Sequence, residues 1–322
     1  MPRVSLCLQA ANLAGVQKQV ALITGAAGFL GRHVCAALGR RGWTIRAVDN
    51  FSAGSREPLP GAEIIEADVS TAAGAELACR GASAVVHLAA FSSVPRSLAD
   101  PDQARRDTEQ STLELIRAAS ARGISRFVFA SSSSVYGDAG KPPVQEDSPL
   151  APKSPYAQAK LASEVHLRQA APGLDAVCLR FFNIYGPGQR PDATYAAAIP
   201  QFCRRILRDE EVTIYGDGEQ TRDFLYVEDA ALSVAAALEA KRRFDGAPVN
   251  VASGECVTIN RLVALIGELA GRRPRVRHEG ERRGDVRLSQ ADVSRAKSWM
   301  DFQAATPLQV GLSRTLAWLS GH

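Results

Sequence analysis

Residues 20–49 restrict the fold more than any other part of the chain. The apolar run Val20-Ala21-Leu22-Ile23-Thr24 reads as a short buried strand. It enters Gly25-Ala26-Ala27-Gly28-Phe29-Leu30-Gly31 directly, and a helical pattern follows from about Arg32 to Arg40. A second strand, 44–48, ends in Asp49-Asn50. Glycines at this spacing let the backbone turn tightly and approach a pyrophosphate, which sits at the N-terminus of the following helix. Asp49 lies 24 residues beyond Gly25, close to where an acid binds the adenosine ribose hydroxyls. A carboxylate there repels a 2'-phosphate, so NAD is favoured over NADP. A glycine trio alone is a weak signal; strand, turn, helix, strand and acid in this order are a strong one.

The next strands fall at 64–69, with Asp68 and Val69 at its end, and at 84–88, running out through Leu88, Ala89 and Ala90. Others fall at 126–130 and 176–182, with helical patterns between them and at about 103–122. Alternating helices and nearly continuous apolar strands predict an α/β fold with a parallel sheet covered on both faces. Ligands on such sheets bind beyond the carboxyl ends of the strands. Here those ends are Gly25, Asp49, Asp68, Ala89 and Ser131. His87 sits in an apolar strand and reads as a hydrogen-bonded core histidine rather than a base. Proline and glycine density at 183–191 marks a change of organisation. Further on, 199–207 is helical, 249–252 is a short strand, and Thr258 caps a helix with Ile259, Leu262, Val263, Ile266 and Leu269 on one face.

One stretch on the cofactor edge carries chemistry. It reads Ser131-Ser132-Ser133-Ser134-Val135-Tyr136-Gly137, then a loop, then Ser154-Pro155-Tyr156-Ala157-Gln158-Ala159-Lys160. Ser154 suits an N-cap and Pro155 the first helical position. Tyr156 and Lys160 are four apart and share a helix face. A phenol with a pKa of about 10 is a poor base at neutral pH. A nearby ammonium favours the phenolate, and a serine hydroxyl can donate to the same oxygen. Together they can take a proton from an alcohol as hydride leaves its carbon. The spacing alone is weak; its place on the cofactor edge raises it well above chance.

Composition narrows the remaining classes. Among 322 residues, 46% are hydrophobic and 22% charged, which is ordinary for a globular enzyme. Net charge is 38 minus 34, or +4, too mild to argue for nucleic acid. Six cysteines (Cys7, Cys35, Cys79, Cys178, Cys203, Cys256) lack metal-ligand spacing and read as small core residues, so no metal is expected. No span is long and apolar enough to cross a membrane, and residues 1–18 lack a convincing signal-peptide core. A cytoplasmic protein with no membrane partner is expected, its first 18 residues a loosely docked extension.

Taken together these residues resemble the extended short-chain dehydrogenase/reductases, in particular the nucleotide-sugar epimerase/dehydratase group. The resemblance covers about residues 19–318. It rests on the glycine turn, Asp68-Val69, His87-Leu88-Ala89-Ala90, the Ser132/Tyr156/Lys160 trio and Arg180-Phe181-Phe182-Asn183-Ile184-Tyr185-Gly186-Pro187. It rests also on Gly216-Asp217-Gly218, Arg222-Asp223-Phe224 and Gly284-Asp285-Val286. It implies a Rossmann-type doubly wound sheet with a smaller C-terminal α/β lobe for a UDP- or dTDP-sugar. The implied division is an extension at 1–18, an NAD-binding domain at 19–182 with segments of about 224–255 returning to it, and a sugar-nucleotide lobe from 183–223 and 256–322. Tyr156 then matches the general base, Lys160 the residue that lowers its pKa and holds the nicotinamide ribose, and Ser132 the catalytic hydroxyl. Gly25, Gly28, Phe29, Leu30, Asp49, Asn50, Asp68, Val69, Leu88, Ala89 and Ala90 fall to the cofactor, with Tyr156 and Lys160 on its nicotinamide side. Ser93, Ser132, Ser133, Asn183, Arg222, Arg282, Asp285 and Ser289 fall to the substrate, with Arg222 and Arg282 gripping phosphates and Asp285 the uridine ribose. Arg282 gives the basic run 272–287 a purpose, while Arg272, Arg273 and Arg275 read as solvated.

Reaction and sugar follow from single positions. Dehydratases of this group carry Thr-Asp-Glu where this chain has Ser132-Ser133-Ser134, and decarboxylases keep the glutamate. Lack of a carboxylate argues for C4 epimerisation. Ser289 aligns with a tyrosine of epimerases restricted to glucose and galactose, leaving space for a 2-acetamido group. UDP-GlcNAc/UDP-GalNAc is therefore the expected pair, with UDP-Glc/UDP-Gal a further one. A UDP-glucuronate 4-epimerase, a nucleotide-sugar dehydratase and a non-catalytic NAD-binding sensor stand beside this reading. Homodimerisation through helices at 103–122 and 156–170 is implied by the resemblance alone. The chain departs from the family near Thr108, where an asparagine is usual, and at Ser92, where some epimerases carry a lysine.

Overall fold

The computed structural model describes residues 19–138, 141–191, 197–281 and 287–321. Six early strands, β1 (Val20–Thr24), β2 (Thr44–Asp49), β3 (Ala62–Glu66), β4 (Ala84–His87), β5 (Arg126–Ser132) and β6 (Asp175–Phe181), form one parallel sheet. A strand from far along the chain, Ala247–Val251, pairs parallel with β6 and completes it. Across the sheet the order is Ala247–Val251, β6, β5, β4, β1, β2, β3. The order turns back between β1 and β4, which opens a crevice at their carboxyl ends. This is the doubly wound Rossmann-type architecture expected.

Parallel neighbours need crossovers, and helices supply them: α1 (Phe29–Arg40), α2 (Ala72–Cys79), α3 (Val94–Ala99), α4 (Pro101–Arg105), α5 (Ser111–Ala121) and α6 (Pro155–Ala170). Strand alternation splits the core into two layers. Ala21 and Ile23 of β1 pack with Val34 and Leu38 of α1 and with the helix Val227–Glu239, whereas Leu22 packs with Leu115 of α5 and Leu167 of α6. Each such fully buried leucine, isoleucine or valine contributes about 1.5–3 kcal/mol.

Two expected elements differ. The strand predicted at 64–69 is β3, which begins at Ala62 and ends at Glu66. It is the sheet edge, so its outer residues meet solvent: Ile64 is 45% exposed, and Glu63 and Glu66 pair with Arg46 and Arg56. Asp68 stops the extended run because its Oδ1 accepts from Ser70 N at 2.9 Å, and Thr71 then caps α2. The helix predicted at 103–122 is interrupted by a π turn at Arg106–Gln110 between α4 and α5. Ser111 and Thr112 hydroxyls donate back to the Thr108 carbonyl there, which bends a helix. Of the cysteines, Cys35, Cys79, Cys178 and Cys203 are buried as expected, Cys256 is exposed, and Cys7 lies outside the described residues.

Beyond β6 a smaller set of elements has its own core. Helices Ala198–Leu207, Ile259–Ala270 and Leu308–Ser320 surround the parallel pair Val212–Tyr215 and Val276–Glu279. Ile259, Leu262, Val263 and Ile266 face inward as the periodicity predicts, while Leu269 is at the rim. Thr258 Oγ1 accepts from Arg261 N, and Gly271 ends that helix in the left-handed region at φ +62°. Among the described residues no helix is long and apolar enough to cross a membrane.

Candidate active site

The glycine turn is built so that nothing larger fits. A Cβ at Gly31 would lie 2.2 Å from the Gly25 carbonyl oxygen, and one at Gly25, whose φ is +66°, would lie 2.7 Å from Ala89 N. The turn thus nests against the end of β4. Asp49, at the end of β2, accepts from Ala27 N at 2.9 Å and from Phe51 N at 2.8 Å, tying the turn to the following loop. Both of its oxygens retain a lone pair for a ribose hydroxyl. α1 begins beside it with no side-chain cap and no acid in its first turn. Its backbone N–H groups and positive dipole end are left for an anion, as a dinucleotide pyrophosphate requires.

Eleven of the thirteen residues assigned to the cofactor, Gly25, Gly28, Phe29, Leu30, Asp49, Asn50, Asp68, Val69, Leu88, Ala89 and Ala90, line one continuous cleft with Ser93 and Asn183, and Tyr156 and Lys160 do not. Ser132, Tyr156, Arg222 and Ser289 are not among its lining residues. The trio forms its own group on the neighbouring strand. β5 pairs with β4 at His87–Phe129, so Ser131 and Ser132 stand level with Ala89 and Ala90.

Ser132 is the last residue of β5, and its Oγ accepts from Ser134 N at 3.2 Å as the chain tightens into the 3₁₀ turn Ser133–Tyr136. Ser154 Oγ caps α6 by accepting from Ala157 N, and Pro155 opens the helix. This places the half-buried Tyr156 against Ser132, with which it shares a side-chain hydrogen bond. Lys160 is buried one turn on; its Nζ donates to the Ala130 carbonyl at 2.6 Å and stands 5.9 Å from the Tyr156 ring centroid. Burial raises the Tyr156 phenol above its ordinary value, and the Ser132 hydrogen bond opposes this. Burial pushes the Lys160 ammonium down to about 7, against the opposing pull of the Glu164 carboxylate.

His87 is the core histidine expected. Its Nδ1 lies 2.8 Å from Thr24 Oγ1 and its Nε2 3.1 Å from Thr112 Oγ1. Complete burial, with Lys160 nearby, drives its pKa down to about 3, so it is neutral at physiological pH.

Beneath the trio lies a buried polar group that the residue-by-residue reading did not find. Arg180 of β6 donates from Nε and Nη2 to Glu164 of α6 at 3.0 and 2.7 Å, and from Nη1 to Tyr136 Oη at 3.0 Å. Tyr136 donates to Asn250 Oδ1 at 2.6 Å, and Asn250 Nδ2 donates to the Val144 and Asp292 carbonyls. Ser131 donates to Glu164. Breaking a buried ion pair of this kind by removing one partner costs about 3–5 kcal/mol. The available signal was an arginine in the middle of an otherwise apolar strand, which demands a buried partner.

On the substrate side, Arg222 is half-buried on the strand Thr221–Asp223, and Ser289 N donates to Thr221 Oγ1 beside it. Asn183 Nδ2 donates to the Asp223 carbonyl at 2.8 Å. Asp223, fully buried, collects four donors: Ser253 Oγ and N at 2.6 and 2.9 Å, Gly254 N at 3.1 Å and Ala291 N at 3.2 Å. It therefore clamps the strand carrying Arg222 to the segment carrying Ser289. Arg282 and Asp285 lie outside the described residues. In the basic run, Arg272 lines the cleft, Arg277 pairs with Glu211 and Glu279, and Arg287 with Asp217. Arg275 is exposed as expected and also donates to the Asp209 carbonyl, because the strand Val276–Glu279 lies beside Val212–Tyr215.

This arrangement has known counterparts. The chain is 34% identical, over 93% of its length and 97% of the relative's, to a Bacillus subtilis (strain 168) protein described as an uncharacterized UDP-glucose epimerase. A UDP-glucose 4-epimerase of Thermotoga maritima, solved with UDP-glucose, superimposes with a TM-score of 0.90 at 32% identity, covering 94% of this chain and 99% of that one. A UDP-N-acetylglucosamine 4-epimerase of Methanobrevibacter ruminantium M1, in complex with UDP-N-acetylmuramic acid, gives 0.88 at 35% identity over 94% and 98%. The model of the NAD dependent epimerase/dehydratase family matches residues 21–252. With its glycine cradle, its acid at the end of β2 and its uncapped α1, the chain belongs to that family, and its cofactor is NAD.

Proposed function

We propose that the protein interconverts C4 epimers of a UDP-hexose, with UDP-GlcNAc and UDP-GalNAc as the preferred pair and UDP-Glc and UDP-Gal as a second. The observation that carries this is the Ser132–Tyr156 hydrogen bond on the strand end next to the cofactor cleft, with no carboxylate at Ser133 or Ser134. NAD, held by the glycine turn and Asp49, supplies the site that accepts hydride from C4' and returns it. Tyr156 Oη takes the proton of the sugar 4'-OH and later gives it back. Ser132 Oγ holds that proton path in line, and Lys160 supplies the nearby positive charge. Arg222, with Arg282, grips the diphosphate; Asn183, Ser93 and Ser133 face the sugar, and Asp285 takes the uridine ribose. The 4-keto sugar turns over within the site and presents its other face. Loss of water would need a further acid and base, which Ser133 and Ser134 do not provide. Ser289, small and anchored beside Arg222, leaves room for the acetamido group.

Purified protein incubated with UDP-GlcNAc, UDP-Glc and UDP-GlcA in parallel is expected to give the C4 epimer of the first by NMR, without added NAD and without a 4-keto-6-deoxy product. Ser289→Tyr should lower the rate on UDP-GlcNAc at least about tenfold more than on UDP-Glc, since filling a pocket with a side chain costs a substrate group its place. Equal losses on both sugars refute the gate, and a dehydrated product refutes the reaction.

The protein is further proposed to be a homodimer through α5 and α6. Val94 and Leu98 of α3, which packs on α6, and Val165 of α6 are 41%, 65% and 46% exposed, so an apolar patch adjoins that surface. Sedimentation at the monomer mass would rule this out.

A further inference from the structure

Glu164 has no part in the reaction proposed above, yet it is one of the most deeply placed carboxylates in the molecule. It sits on α6 one turn past Lys160, as Lys160 does past Tyr156. One carboxylate oxygen accepts from the Ser131 hydroxyl, so Glu164 is tied to the residue directly before Ser132. Both oxygens accept from Arg180. The three catalytic candidates and this carboxylate thus form one rigid corner between α6 and the end of β5. Resting on the reading of Tyr156 and Lys160 as the proton machinery, we propose that Glu164 is a positioning residue. Its carboxylate fixes the strand end that carries Ser132 and supplies the counter-charge for the Lys160 ammonium.

The surroundings of Lys160 leave this task to Glu164. From β5 come the Ala130 carbonyl and the Phe129 ring, 4.7 Å from Nζ, neither ionisable. From β4 comes His87, neutral by burial. From β6 come Cys178, whose thiol is kept protonated by burial, and Arg180, whose positive charge is of the wrong sign. From α6 come Tyr156, also protonated, and Glu164. Thr112 and Ser163 add only hydroxyls. Glu164 is accordingly the largest influence that favours the charged form of Lys160 against its burial. Arg180 in turn holds the Glu164 carboxylate in place through a two-pronged hydrogen bond.

The experiment follows the six lysines of the NAD-bound protein by NMR of ¹³Cε-labelled lysine across pH, with Lys160→Arg identifying the Lys160 signal. This readout does not depend on turnover. Glu164→Gln is expected to lower the Lys160 midpoint by about one pH unit or more, a tenfold change in its proton affinity. Glu164→Asp should recover part of the shift. If Glu164→Gln does not fold, Glu164→Asp alone, which draws the charge back by one methylene, should still show a smaller lowering. Ser131→Ala should lower kcat on UDP-GlcNAc while leaving the midpoint in place, since it cuts the link without altering charge. A Lys160 midpoint unmoved in whichever Glu164 variant folds overturns the proposal. If Tyr156→Phe retained full turnover, the reading of the trio would fail instead, and the two failures are separately visible.

Discussion

Tyr156→Phe is expected to lower kcat for UDP-GlcNAc epimerisation by about 10³-fold, within the range by which a positioned acid–base group accelerates proton transfer. Little else should change. The hydroxyl's resolved partner is Ser132, while the ring that Lys160 approaches is retained in phenylalanine. None of the residues lining the cofactor cleft is touched. NAD content, measured after acid release from the purified variant, should equal that of the parent, and the unfolding temperature should move by no more than a few degrees. This combination separates an enzyme from a dinucleotide sensor on the same fold. A variant that keeps both its NAD and its turnover would remove Tyr156 from the reaction.

The second large effect is expected from Asp223→Ala. The substitution removes the acceptor of four donors at Ser253, Gly254 and Ala291, of which only the Ser253 hydroxyl keeps another, the Glu255 carbonyl, and each donor left without one costs about 1–3 kcal/mol. Burial raises the pKa of this carboxyl and the four hydrogen bonds oppose it. A loss of about 4 kcal/mol is expected, or about 10 °C in unfolding temperature. The clamp also holds Arg222 relative to Ser289, so KM for the UDP-sugar should rise at least about tenfold even in the fraction that folds. Differential scanning calorimetry and initial rates check both; unfolding within 2 °C of the parent, on the order of its error, would show that the carboxylate does not hold this junction together.

Much of the framework could be read in advance because its signals are local. The glycine turn, the apolar strands and the Ser154-Pro155 helix start are each encoded within a few residues, and each forms as expected. The errors are equally local. Ala67 and Val69 carried an apolar run past the true end of β3, where the Asp68 side chain turns the backbone. The π turn at Arg106–Gln110 left no mark in a pattern already polar there. What the pattern could not supply is pairing over distance. Arg180 announces the need for a partner, but nothing in its strand says that the partner is Glu164, or that Tyr136 completes the set with Asn250. Asp223 stood in plain view beside Arg222, and only the fold shows that its four donors come from residues 253, 254 and 291. The electrostatic state of Tyr156 and Lys160 was likewise out of reach, since it depends on how deeply each is enclosed.

The seventh strand has a consequence for how the protein is made. Ala247–Val251 carries Asn250, which takes the Tyr136 hydrogen bond and whose N–H donates to Glu146. Synthesis runs from the N-terminus, and domains assemble as their parts emerge. A nascent chain that has released β1 to β6 and α6 already contains Ser132, Tyr156 and Lys160, but the loop after Ser132 has Arg180 to hold Tyr136 and not yet Asn250. Asn250 leaves the ribosome more than one hundred residues after Tyr136, and contacts of such long sequence separation form slowly. The chain therefore spends a translational interval with this corner only half latched, and a molecule cut short before residue 247 would carry Ser132, Tyr156 and Lys160 without the Asn250 half of the latch.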